Sequence, residues 1–209
     1  MKDKFKQVSK DLEKLSFPNW NNMPDIDLYM DQVMTYLERE LKPLKIKEED
    51  KILTNSMINN YVKGNLLPPP VHKKYSKEHL SRLFIISSIK QILSISNIEE
   101  LLSSDKAIDN DLYELFTKEH KNALSDELQK LNSLLSNLEN SNDDELVNSL
   151  KMYVIHLAIH AEAQKIIADK LIHVIEEKKL EELSEIERLQ KEEKANIKQS
   201  KKTKTEVAN

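Results

Sequence analysis

TNSMINNYVKGNLLPPPVHKKYSKEHLSRLFIISSIKQILSISNIEELL, residues 54–102, holds the punctuation that decides how the chain folds. Thr54 is a good N-cap for a short helix, because its hydroxyl can accept one of the N–H groups that a first helical turn leaves unpaired. Met57, Ile58 and Tyr61 fall on one side of that helix. Gly64-Asn65 marks its end. Both residue types tolerate the left-handed conformation that helix C-termini require. Gly64 is the only glycine in the chain, which implies that the tight turn needs it. Leu66-Leu67-Pro68-Pro69-Pro70 cannot be helical, since proline lacks an N–H and pushes its predecessor into extended geometry. Val71-His72-Lys73-Lys74-Tyr75 continues as a short extended or looped segment. Ser76 then caps a helix with the apolar stripe Leu80, Leu83, Phe84, Ile86, Ile89 and Leu93. Ser96-Asn97-Ile98-Glu99 has capping-box spacing, serine then glutamate three residues on, and opens a helix carrying Leu101 and Leu102.

Upstream, Phe5, Val8, Leu12 and Leu15 repeat at helical spacing, and residues 17–24 break the repeat with Pro18 and Pro24. The lone Trp20 reads as a packing anchor there. Asp25 can cap a helix over about 25–42 with Ile26, Tyr29, Val33, Tyr36, Leu37 and Leu41 as its stripe, stopped by Pro43. Residues 44–53 form a charged connector. Downstream, residues 108–116 and the series Leu124, Leu128, Leu131, Leu135 and Leu138 read as helices, and residues 140–144 as a loop. Residues 145–194 contain neither Gly nor Pro. Their first part, 146–175, is apolar on more than one face, which suits a core helix or a dimer seam. The last part is mostly Glu and Lys and is expected to fray into a disordered tail over 195–209.

The 209 residues are 39% hydrophobic, enough for one or two small domains. One glycine cannot build a P-loop, a dinucleotide fingerprint or a nucleophile elbow, each of which needs two or more. The absence of cysteine removes disulfides, thiolate nucleophiles and Cys-ligated zinc. Neither an enzyme nor a cofactor is expected. The N-terminus lacks the apolar stretch of a signal peptide, and no run approaches the ~20 apolar residues of a membrane span, so a cytoplasmic location is expected. The net charge of −4 is unevenly spread: residues 54–91 carry net +5, residues 92–150 net −9, and 176–209 balance. A basic island in an acidic chain points to a polyanion partner, with a merely solvated basic face as the alternative.

The order from Thr54 to Leu102 resembles the DNA-binding half of MerR-type transcriptional regulators. Tyr61, Leu66, Leu67, Pro68, Pro69, Lys74, Tyr75, Ser76, Leu80, Leu83, Ile86, Ser96, Ile98, Leu101 and Leu102 carry the likeness. The wider stretch from Met23 to Leu102 closely resembles a bacterial family known only as a domain of unknown function. The scarcity of Gly and Pro favours helices over sheet, so an all-α chain is expected: residues 1–22 as an N-terminal helix and linker, 23–104, by the resemblance, as a winged helix-turn-helix domain, and 105–194 as a helical bundle or hairpin for dimerisation or an effector. The chain departs from the MerR pattern in four places. The first helix is longer, the glycine stands at 64 and not 65, Asn59 replaces an arginine, and the wing is short, with His and Lys where arginines are usual.

On this reading a recognition helix over 54–63 presents Asn55, Ser56, Asn59, Asn60 and Lys63 to base edges. A basic wing over 68–75 sets His72, Lys73 and Lys74 against phosphate, with Lys77 and Arg82 close behind. Gly64, Leu66, Leu67, Pro68 and Pro69 form the structural turn and pack the wing. Tyr61 and Tyr75 serve as core rims or phosphate donors. Double-stranded DNA is then the expected partner, bound by a homodimer through the C-terminal helices. The alternative is a protein-interaction module of the same fold that does not touch DNA. His156 and His160 share a helix face at metal-ligand spacing, but Leu157 stands where a zinc protease needs glutamate, and no metal is expected. Glu99-Glu100 and Asp143-Asp144-Glu145 fall at helix starts, where carboxylates favour the dipole.

Overall fold

A computed structural model describes residues 2–102 and 110–206, with side chains except those of Glu187 and of residues 193–206. The expected boundary at 104, and the beginning of the helix expected over 108–116, lie outside the described residues. The chain divides into two compact units, Met1–Ala163 and Gln164–Asn209. Seven α-helices and one two-stranded sheet make up the described residues, so the all-helical class expected from composition holds.

The first unit begins with α1 (Lys2–Leu12), followed by β1 (Leu28–Tyr29) and α2 (Met30–Leu41). Val33, Tyr36, Leu37 and Leu41 are the buried stripe of α2. The helix starts at Met30, where the Tyr29 N–H donates to the Gln32 side chain at 2.9 Å. Two expectations are thereby corrected. Asp25 does not cap the helix but pairs with Lys77. Ile26 and Tyr29 lie outside it, 70% and 53% exposed. A two-residue strand carries too little alternation to compete with helical periodicity, so β1 was not legible.

After a 3₁₀ turn at Lys42–Leu44, the connector brings Leu53 into the core and leads to α3 (Asn55–Lys63). The Thr54 hydroxyl accepts the Met57 N–H at 3.2 Å, and Ile58 and Tyr61 face inward. The helix ends differently from expectation: Gly64 has φ −87°, and Asn65 is the left-handed residue with φ 58°. The Asn65 N–H donates to the Val62 carbonyl at 3.2 Å and the Leu67 N–H to that of Tyr61 at 3.0 Å, which closes the end around Asn65. Asparagine thus takes the role glycine usually fills at this position. Leu66 and Leu67 are buried, whereas Pro68 and Pro69 are exposed and do not pack the following segment as expected.

That segment returns as β2 (Lys74–Tyr75), antiparallel to β1 with Leu28 opposite Tyr75 and Tyr29 opposite Lys74. Helix α4 (Lys77–Ile89) follows, buried on nearly every face, its Ser81 and Ser87 hydroxyls donating to the helix's own Glu78 and Leu83 carbonyls. Helix α5 (Ile95–Leu102) is capped by Ser94, whose hydroxyl accepts the Asn97 N–H at 3.1 Å, so Ser96 and Glu99 lie inside the helix instead of framing its start.

Helix α6 (Asn110–Asn137) is continuous across two expected helices, and α7 (Asp143–Glu206) starts at Asn142, whose side chain accepts the Glu145 N–H at 2.9 Å. Within the first unit α6 and the beginning of α7 form an antiparallel hairpin, with the Tyr153 hydroxyl donating to the Glu127 carbonyl at 3.2 Å. Helix α1 lies antiparallel to α6: Lys2 donates to the Glu139 carbonyl at 2.6 Å and the Ser9 hydroxyl to Asn132 at 2.6 Å. Phe17, Tyr36, Phe84, Tyr113 and Phe116 form an aromatic cluster joining α2, α4 and α6, and Trp20 stands beside Tyr113. The second unit contains the later part of α7, whose backbone is helical to Glu206. Among the described residues no helix is long and apolar enough to cross a membrane.

Candidate functional site

The outer face of α3 and the 71–74 turn contain most of the sequence-predicted site residues. Asn55, Ser56, Asn59, Asn60 and Lys63 are all exposed, since Ile58 and Tyr61 fix the opposite face in the core. Val71 and Lys74 exchange two backbone hydrogen bonds, 3.1 and 2.9 Å, across a two-residue turn. His72 and Lys73 fill its centre with φ 50° and 64°. Two positive φ angles make a turn whose twist matches the flanking extended chain, and Asn-Gly is its usual occupant. Non-glycine residues in the left-handed region cost roughly 1–2 kcal/mol each. Both side chains are exposed at the tip. Lys74 lies at the turn's base with its ammonium 5.2 Å from the centre of the exposed Tyr29 ring.

Three cations of the sequence's basic island are committed elsewhere. Arg82 is only 7% exposed and donates to the Leu102 carbonyl at 2.9 Å, closing the C-terminal end of α5. Burial lowers its pKa, and Glu78 opposes the shift. Lys77 pairs with Asp25 and sits 5.7 Å from the Trp20 ring centre. The expectation that Arg82 and Lys77 meet phosphate is corrected: one is inside the fold and the other tethers the loop before β1 to α4. Lys90 is half-buried, donates to the Ile52 carbonyl, and has its pKa lowered by burial. Lys63 and Lys73 have no ion pair among the described residues. Tyr61 and Tyr75 are buried, with pKa values raised by desolvation, so they serve packing.

His79 was not singled out by sequence. It lies where the turn meets α4, with Nδ1 accepting the Ser76 N–H at 3.0 Å and 2.8 Å from the Ser76 hydroxyl. Burial lowers its pKa. The signal was present as spacing: a serine N-cap and, three residues on, a side chain able to accept its N–H.

Elsewhere, His156 and His160 have ring centres 4.1 Å apart on the exposed surface of α7. Among the described residues no group of three His, Asp or Glu side chains is placed to hold a metal. An open cleft of about 920 Å³ lies between the 16–22 loop and α6, with Glu40, Glu114, Lys118 and His120 on its walls.

No curated protein and no solved structure shows significant similarity to the chain. A family model described as a domain of unknown function, DUF1836, matches residues 18–123, from the loop before β1 into α6. That match covers just over half of the sequence, and the chain belongs to the DUF1836 family.

Proposed function

We propose that residues 23–104 form a MerR-like winged helix-turn-helix that binds double-stranded DNA, and that the protein is a transcriptional regulator. Helix α3 is its recognition helix, with Asn55, Ser56, Asn59, Asn60 and Lys63 facing base edges, and the 71–74 turn is its wing, with His72, Lys73 and Lys74 against phosphate. The observation that carries this reading is the wing tip. Two basic residues occupy left-handed positions that glycine or asparagine would fill at lower cost, and both are exposed. A turn kept for its shape alone would not need these side chains, whereas a phosphate-gripping tip does.

The same reading makes the protein a homodimer through α7. Met152, Ile155 and Ile159 recur at three- and four-residue spacing, all at least half exposed. A second copy laid along this face covers them and presents two recognition helices to two half-sites.

Fluorescence anisotropy with mixed-sequence duplex DNA across a salt series tests the proposal. Binding whose affinity falls steeply with salt supports it. The slope should be small, equivalent to about two to four phosphates, because Arg82, Lys77 and Lys90 are committed within the fold. No salt-dependent binding transfers the fold to the alternative reading, a protein-interaction module without DNA.

A further inference from the structure

Helix α4 begins with a capping box in which the usual acceptor has been replaced. In that motif the side chain three residues after the N-cap accepts the N-cap N–H, and glutamate or glutamine normally supplies the oxygen. Here the Ser76 N–H donates to His79 Nδ1 at 3.0 Å. An amide or carboxylate oxygen accepts at every pH near neutrality, but an imidazole nitrogen accepts only while it carries no proton.

The neutral ring must therefore hold its proton on Nε2. That atom is buried, and after burial itself the Pro69 and Pro68 carbonyls act on the ring most strongly, both favouring its protonation. The Tyr75 ring stands edge-on at 5.4 Å. The charged groups acting on His79 are Glu78 from α4 and Asp27 from the segment before β1, both favouring protonation, and burial opposes them as the larger effect. The 66–70 segment contributes no titratable side chain. Ser76 directly follows β2, so whatever disturbs its N–H disturbs the base of the 71–74 turn.

We propose that His79 is a positioning residue for the wing and makes its hold on a polyanion proton-dependent: neutral His79 closes the start of α4 onto the turn, and protonated His79 opens it. Protonation puts an N–H where the Ser76 N–H points and leaves that backbone donor without its acceptor. The effect on a polyanion rests on the DNA-binding reading above; the change at Ser76 does not.

The test compares the full chain with His79→Gln, whose side-chain oxygen accepts in the same place and does not titrate. Should that variant fail to fold, His79→Asn, whose amide oxygen also accepts without titrating, takes its part. Amide hydrogen exchange at Ser76, read as a protection factor, and anisotropy with a mixed-sequence duplex of about 20 base pairs are followed from pH about 7.5 to about 5. Ser76 protection falls in the native chain and persists in the variant, and native affinity falls about tenfold relative to the variant's. His72 is common to both proteins and cancels from that ratio. Equal pH behaviour of the Ser76 amide in the two proteins overturns the proposal. If neither protein binds duplex at any pH, the DNA-binding reading falls, and the Ser76 comparison still decides the proton-dependent cap.

Discussion

Helix α4 holds Leu80, Leu83, Phe84 and Ile86 at 0% exposure, whereas α7 leaves Met152 at 65%, Val154 at 62% and Ile159 at 57%. Both helices are apolar on more than one face. The difference lies in what surrounds them. Helix α4 is packed by α2, β2, the 66–67 leucines and the aromatic cluster around Phe84. The α6 hairpin covers only one side of the beginning of α7, through Leu146 and Tyr153. An all-round apolar pattern therefore marks a helix that needs neighbours, and the monomer supplies them for α4 alone.

Stability measurements should separate the two helices widely. Phe84→Ala removes a fully buried ring and is expected to cost about 3–5 kcal/mol in urea denaturation. Ile155→Ser with Ile159→Ser is expected to change monomer stability by less than about 1 kcal/mol while weakening self-association by at least about tenfold in sedimentation. Equal stability losses at the two sites would erase the contrast.

Arg82→Ala sharpens the comparison between buried and exposed cations. It should cost about 2–3 kcal/mol, through the lost bond to the Leu102 carbonyl and the lost packing of its stem, with the salt slope of DNA binding unchanged. Lys73→Ala with Lys74→Ala should do the reverse, leaving stability within about 1 kcal/mol and lowering the slope by up to about 2. At the end of α3, Asn65→Ala should cost about 1 kcal/mol because Asn65 holds the left-handed angle, whereas Gly64→Ala should stay within about 0.5 kcal/mol. A Cβ at Gly64 would meet the Asn60 carbonyl oxygen at 3.4 Å.

The smallest expected effect is on pH dependence. Burial lowers the pKa of both His79 and His120. The unfolded chain then binds protons more readily than the folded one, so stability is full above the ordinary histidine range and falls as pH drops through it toward the lower folded values. Urea denaturation at several pH values should show this decline, and His79→Gln with His120→Asn should flatten it.

Most of the helical architecture was legible because 3.6-residue periodicity and strong punctuation coincide. The Thr54 cap, the Leu-Leu-Pro-Pro break and the Ser76 start all lie where residue chemistry requires them. What escaped was set by tertiary context. The β1 strand is too short to carry a period. The left-handed angle fell on Asn65 because the chain's path after α3, not residue preference alone, chose it. Charge counting gave Arg82, Lys77 and Lys90 the same standing as Lys63 and Lys73, since a sum of charges does not distinguish a buried cation from a solvated one. Asn55, Ser56, Asn59, Asn60 and Lys63 could be placed on one face from spacing alone. His79 hid because its role depends on the exact cap that Ser76 forms.

The central claim is that α3 and the 71–74 turn read DNA, and selection of bound duplexes from a random library with the full-length chain tests it most directly. Enrichment of one motif, as an inverted repeat with half-sites about 10 base pairs apart and lost with Asn59→Ala, Asn60→Ala, is the predicted result. A library that stays random, together with no salt-dependent retention of any duplex, would contradict it.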